Sequence, residues 1–164
     1  MLKVAITGPK NSGKSIISEY VSEKLDEAFA DDFSEQFLKQ REREFNFENL
    51  EEIGRGQKML MEFLNPKKYL ITETEMLYLK IWSEIKFGKC SSYIIQEWHK
   101  QEFDLYLVCW PKAKYQEDYN AEDFANKIIE ELDIREANYL VLKGNNAQRK
   151  LDAFEAIKKI SRLS

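Results

Sequence analysis

Five short apolar runs punctuate the chain: residues 2–7 (LKVAIT), 68–72 (KYLIT), 104–110 (DLYLVCW), 138–142 (NYLVL) and a weaker one at 27–30 (EAFA). They are apolar without strict alternation, the signature of strands covered on both faces. Between them the apolar positions recur at helical spacing. Ile16, Ile17, Tyr20, Val21 and Leu25 make one stripe, Leu77, Tyr78, Ile81, Trp82 and Ile85 a second, and Leu151, Phe154, Ile157 and Ile160 a third. Strands alternating with helices predict an α/β fold, a three-layer sandwich around a mostly parallel five-stranded sheet. The stripes are read as core, not as ligand boxes. With three prolines and no repeat or low-complexity stretch, residues 1–164 are expected to form a single domain.

The first strand runs into GPKNSGKS, residues 8–15, which has the spacing G-x-x-x-x-G-K-[ST] of a phosphate-binding loop. Gly8 and Gly13 let the backbone wrap an anion, with Pro9, Lys10, Asn11 and Ser12 between them presenting the main chain. The helix that starts at Ile16 adds its N-terminus. Lys14 would neutralise charge on the outer phosphates of ATP, and Ser15 would offer its hydroxyl to Mg²⁺. The pattern lies between a strand and an amphipathic helix, where that mechanism works. The expected fold is therefore the P-loop NTPase fold in its kinase-like form.

Composition narrows the partners. At 43% hydrophobic and 13% aromatic, 164 residues can bury a sizeable core. A formal net charge of −4 and the absence of a Lys/Arg block argue against nucleic acid and membrane surfaces, leaving a small molecule. Cys90 and Cys109 are too few and too scattered for a disulfide framework or a zinc site, and Cys109 is expected as a buried thiol. The first apolar run stops at Gly8-Pro9, too short for a signal peptide, so the cytoplasm is the expected compartment.

Ligands of such a sheet collect past the carboxyl ends of its strands. After YLIT comes Glu73, which either holds Mg²⁺ beside Ser15 or belongs to an acidic helix start with Thr72, Thr74 and Glu75. Asp32 either takes a proton from an acceptor hydroxyl as general base or opens a variant capping box with Glu35, for the helix carrying Phe37 and Leu38. Residues 111–120 (PKAKYQEDYN) sit where small kinases carry a lid, so Lys112 and Lys114 are either cationic contacts to phosphate or solvated loop residues. Gly144 and Asn145 either border a purine ring or form a turn that caps the last helix.

The chain resembles the P-loop ATPase and kinase family that includes the nicotinamide riboside kinase domain of the bifunctional NAD-biosynthesis regulator of bacteria. The likeness rests on ITGPKNSGKS at the start, IGRGQ with Gly56-Gln57 ahead of a helix, TETEMLYLKIWSEIKFGKC, FDLYLVC, and GNNAQR with Arg149. It implies the P-loop fold, ATP and Mg²⁺ as cofactors, and a nucleoside-like acceptor. One departure lies on the metal side and the others on the acceptor side. Glu73 stands where the family's strand carries an aspartate. Ala30, Asp32, Phe33, Ser34 and Glu35 replace a Pro-Glu-Tyr-Ala-Arg segment, so an acid occupies the arginine's place. The lid offers Lys112, Ala113, Lys114, Tyr115 and Asp118 without its arginine, Tyr115 being a substitute stacking surface for a tryptophan.

Two function classes follow. One is a kinase moving the γ-phosphate of ATP to a small hydroxyl acceptor, with Lys14 and Mg²⁺ stabilising charge and Asp32 as base. The other is an ATP-binding or ATP-hydrolysing regulator without an acceptor. No Asn-Lys-x-Asp or Asp-x-x-Gly string supports a GTP switch.

Overall fold

The computed structural model describes residues 1–114 and 119–163. Five strands, β1 (Leu2–Thr7), β2 (Phe29–Ala30), β3 (Tyr69–Glu73), β4 (Leu105–Cys109) and β5 (Tyr139–Leu142), form one sheet in the order β2-β3-β1-β4-β5. Every pairing is parallel. Parallel neighbours need crossovers, and these are helical: α1 (Lys14–Leu25), α2 (Phe33–Gln40), α3 (Phe47–Phe63), α4 (Met76–Phe87), α5 (Ser92–Lys100), α6 (Ala121–Ile134) and α7 (Asn146–Leu163).

The sheet divides the core into two halves. Val4, Ile6, Tyr69, Ile71, Leu105 and Leu107 face α1 and α7 through Ile17, Val21, Ala153 and Ile157. Ala5, Tyr106 and Val108 face the other way, onto Leu50 and Ile53 of α3, Leu77 and Ile81 of α4, Ile94 and Trp98 of α5, and Phe124 and Ile128 of α6. This is the three-layer sandwich that the uninterrupted apolar runs predicted. The weak run at 27–30 yields only two strand residues, because Glu27 does other work: its carboxylate accepts from the amides of Lys67, Lys68 and Tyr69 and anchors the start of β3. Cys109 is buried, and burial lifts its thiol to about 11, so it stays protonated at neutral pH.

The sequence expectation misplaces one feature. Gly56-Gln57 does not precede a helix; both residues lie inside α3. That placement follows the family resemblance, and glycine's poor helix propensity works locally against the helix that is found. Packing across to α2 overrides it. A Cβ built on Gly56 would stand 2.2 to 2.4 Å from three ring carbons of Phe33, so only glycine lets that ring lie against the helix.

Gly56→Ala is accordingly expected to destabilise the fold by about 1–3 kcal/mol through overpacking, although alanine is the better helix former. Combining it with Phe33→Ala should remove most of the clash. Thermal melts of the two single variants and the double variant check this; additive losses would disprove the contact.

Candidate nucleotide-binding site

The site starts from the pairing of β1 with β3. Ile6 stands opposite Glu73, and the Thr74 amide donates to the Ile6 carbonyl at 2.9 Å. The loop leaving β1 and the carboxylate ending β3 thus emerge side by side. Gly8 begins the loop at φ 144° with its α-carbon against β4: a Cβ there would sit 2.6 Å from the Cys109 carbonyl oxygen. Glycine is required at that point on both counts.

Helix α1 then begins from Gly13, at φ 95°, and no side chain caps it. It is the exception. Asp32, Asn46, Glu75, Ser91 and Asn120 cap α2 to α6, and Asn145 Oδ1 accepts the Gln148 amide in the first turn of α7. A missing cap is worth about 1 kcal/mol. The full burial of Ile17 and Val21, at about 1.5–3 kcal/mol each, more than offsets it. Ser12 Oγ, within the same loop, is the one buried side-chain polar atom without a hydrogen-bond partner among the described residues. An uncapped helix start and an orphaned hydroxyl in one loop fit an anion.

Around the loop lies an open crevice of about 500 Å³. Lys10, Asn11, Ser12, Gly13, Lys14, Ser15 and Ile16 line one side; Asp32, Glu35, Arg43, Glu73, Tyr78 and Lys112 complete the wall. Lys14 is buried. Its ammonium donates to the Gly8 carbonyl at 2.8 Å and the Pro9 carbonyl at 3.2 Å, and lies 4.5 Å from the centre of the Tyr78 ring. Ser15 Oγ donates to Glu73 Oε1 at 2.8 Å. Burial raises the Glu73 carboxyl from 4.5 to about 6, against the opposing pull of the Ser15 hydrogen bond and the Lys14 charge; Asp32 and Asp31 add to the rise.

The structure separates several paired readings. Glu75, not Glu73, caps α4, accepting from the Leu77 and Tyr78 amides, so Glu73 has no capping task and faces Ser15 instead. Glu73 is itself the last residue of β3. Asp32 lines the crevice and also caps α2, its Oδ1 accepting from both the amide and the hydroxyl of Ser34. The capping box does not form as expected: Glu35 pairs with Arg43 at 3.6 Å. Lys112 lies at the loop, with its ammonium on Asn146 and near Gly13. Lys114, Gly144 and Asn145 are not in the crevice wall among the described residues, and Asn145 serves as the α7 cap. Tyr115 and Asp118 lie outside the described residues.

Three residues gain a place here that sequence pattern alone did not give them. Tyr78, read as core, floors the site beneath Lys14. Arg149 is buried and donates from Nη1 to the Ser12 carbonyl at 3.0 Å and from Nε to the Gly144 carbonyl at 2.9 Å, bracing the loop from α7. Arg43 brings a guanidinium to the crevice from the turn before α3. Only Arg149 had a visible signal, its place in GNNAQR.

Residues 3–149 match the family described as an AAA domain. No curated protein matches by sequence. Among solved structures, NadR protein in complex with NR superposes with a TM-score of 0.85 at 12% identity, covering 97% of this chain and 49% of that one. NadR protein in complex with NAD and AMP-PNP gives 0.81 at 14% identity, covering 99% and 50%. Deoxyadenosine kinase from M. mycoides with bound dATP gives 0.59 at 17% identity, covering 97% and 98%. The chain therefore spans about half the length of the NadR chains and nearly all of a nucleoside kinase. At these identities the likeness establishes a shared kinase-like P-loop fold. Among the described residues no helix is long and apolar enough to cross a membrane.

The raised carboxyl of Glu73 has a stability consequence. Folded, it holds its proton up to about pH 6; unfolded, only to about 4.5, so stability falls as pH rises through that window. Glu73→Gln should abolish that fall and leave the ligand-free protein about 2 kcal/mol more stable at neutral pH. Melting curves at pH 4.5 and 7.5 test it; identical pH dependence in both proteins would refute it.

Proposed function

Given that the chain belongs to the AAA-domain family of P-loop proteins, we propose that it is an ATP-dependent small-molecule kinase, transferring the γ-phosphate to a hydroxyl of a nucleoside-like acceptor. The observation that carries this reading is the uncapped α1 start with the orphaned Ser12 hydroxyl and the buried Lys14 beside it. Two precedents support it: a NadR structure holds AMP-PNP, and the M. mycoides kinase holds dATP.

In this reading residues 8–16 cradle the β- and γ-phosphates, and Lys14 leaves the two carbonyls to neutralise charge that develops on the transferred group. Lys112 adds a second cation from the lid side. Ser15 and Glu73, already 2.8 Å apart, would hold Mg²⁺. No cluster of three acidic, His or Cys side chains among the described residues could bind a metal alone, which suits an ion that takes its remaining ligands from phosphate and water. When bound, the metal would supply positive charge to offset that of the phosphates. The acceptor oxygen attacks the γ-phosphorus as its bond to the bridging oxygen of ADP breaks. The hydroxyl proton passes to Asp32, whose Oδ2 takes no part in the cap.

A second reading is an ATP-binding regulator without an acceptor. The observation favouring it is that Asp32 is already occupied as a helix cap and Glu35 as the partner of Arg43, so the rewritten acceptor side has structural tasks of its own.

Lys14→Met is expected to weaken ATP binding about a hundredfold or more by calorimetry, with a melting temperature close to wild type because Ile17 and Val21 hold α1. Equal ATP affinity in both proteins would refute nucleotide binding at this loop.

ADP release with Mg·ATP, with and without candidate acceptors, separates the two readings. Nicotinamide riboside should stimulate poorly, since Glu35 replaces the arginine of the family it resembles; another nucleoside or small polyol should do better. Asp32→Asn should slow the stimulated rate by about 10²- to 10⁴-fold. Turnover near 1 per second with nicotinamide riboside would overturn the acceptor reading. Slow release that no acceptor speeds, unaltered by Asp32→Asn, would favour the regulator.

A further inference from the structure

Gln57 is buried in the middle of α3, yet its side chain is spent entirely on two turns outside that helix. Its Oε1 accepts from the Phe33 amide at 2.8 Å and stands 3.2 Å from the Thr74 hydroxyl. Its Nε2 donates to the Asp31 carbonyl at 2.9 Å and lies 3.2 Å from Thr72 Oγ1 and 3.3 Å from the Glu73 carbonyl. The amide therefore bridges the β2–α2 turn at Asp31 and Phe33 to the end of β3 at Thr72 to Thr74. Asp32 lies inside the first bracket and Glu73 inside the second. Both carboxylates face the same crevice.

Two further features point the same way. Thr74 has φ 70°, a left-handed conformation that a β-branched residue adopts only when its surroundings impose it. Thr74 is held by its amide on the Ile6 carbonyl, its carbonyl on the Thr72 hydroxyl and its hydroxyl between Glu73 and Gln57. Gly56, next to Gln57, has no side chain to keep the Phe33 ring off α3, and that approach carries the Phe33 amide to Gln57. A residue needed only to fill the core could be apolar. A buried amide matched to five polar atoms on two turns is a distance-setting device, because a partner lost from either side would leave buried polar groups unsatisfied.

We propose that Gln57 is a positioning residue that fixes Asp32 relative to Glu73 and so links the acceptor-side base to the carboxylate beside Ser15. This rests on the kinase reading for its catalytic consequence but not for the clamp itself. The device acts on the spacing of the two carboxylates and leaves the phosphate loop alone, since none of its contacts reaches residues 8–16.

The test uses Gln57→Met, which keeps length and loses the amide, and Gln57→Asn, which keeps the amide and loses reach. If Met unfolds, Asn carries the experiment. ATP affinity without metal should stay within about twofold of wild type, while the gain on adding Mg²⁺ falls at least about tenfold and ADP release with acceptor falls about a hundredfold. Asp32→Asn added to Gln57→Met should slow release much less than it does alone, because the base is already displaced. Folded variants that keep both the Mg²⁺ gain and the rate would overturn the proposal. Hydrogen exchange without any ligand isolates the clamp from the kinase reading: the Phe33 amide, which donates to Gln57, should exchange at least about tenfold faster in Gln57→Met, with α1 amides unchanged. If wild type binds no ATP, the kinase reading fails and this exchange result alone decides the clamp; unaltered protection in the variant overturns it.

Discussion

The parallel register of β1 on β3 is the constraint from which the rest of the site follows. It sets Ile6 against Glu73, so that the loop leaving one strand and the carboxylate ending the other cannot be moved independently. Both faces of the sheet enforce it. Val4 and Ile6 are buried toward α1 and α7 while Ala5 is buried toward α4, and a one-residue slip would force two large side chains into the space of one small one on the α4 side and leave one small one in place of two large ones on the α1 side. The Ser15–Glu73 contact is thus held by a core that touches neither residue's chemistry.

The crevice built on that register has two electrical halves. Lys10, Lys14 and Lys112 occupy the loop side; Asp32, Glu35 and Glu73 occupy the turn side, with Arg43 against Glu35. A phosphate chain suits the first half and a polar, hydroxyl-bearing molecule the second, which is the arrangement that the proposed kinase reading requires across one gap. Its cationic half is braced by Arg149 from the last helix, which ties the loop to residues more than a hundred positions away.

The strands and the loop were legible because their signals are local: an unbroken apolar run and a fixed glycine spacing each specify their own conformation. The carboxylates were not, because helix capping and catalysis draw on the same residue types. Asp32 caps and faces the crevice at once, and only the third dimension shows that Glu75 relieves Glu73 of the capping task. Helix α3 was hidden for a different reason. Its buried face includes Asn49, Gly54, Gly56 and Gln57, whose places are set by neighbours that only the fold brings up: Asn46 for Asn49, α4 and α5 for Gly54, Phe33 for Gly56, and the turn before α2 with the end of β3 for Gln57. The identity of the proposed acceptor is equally illegible, since it depends on the shape of a gap between four segments that no stretch of sequence contains.

The resting place of Lys14 changes how affinity at this loop should be understood. Its ammonium is not waiting in solvent; it already has two carbonyls and an aromatic face. An arriving phosphate must outcompete those contacts, so binding is an exchange of partners whose net gain is smaller than the number of bonds formed. On the nucleotide-binding reading, the loop stays folded and charge-satisfied when empty, and an anion gains only the difference between the contacts it makes and those it displaces.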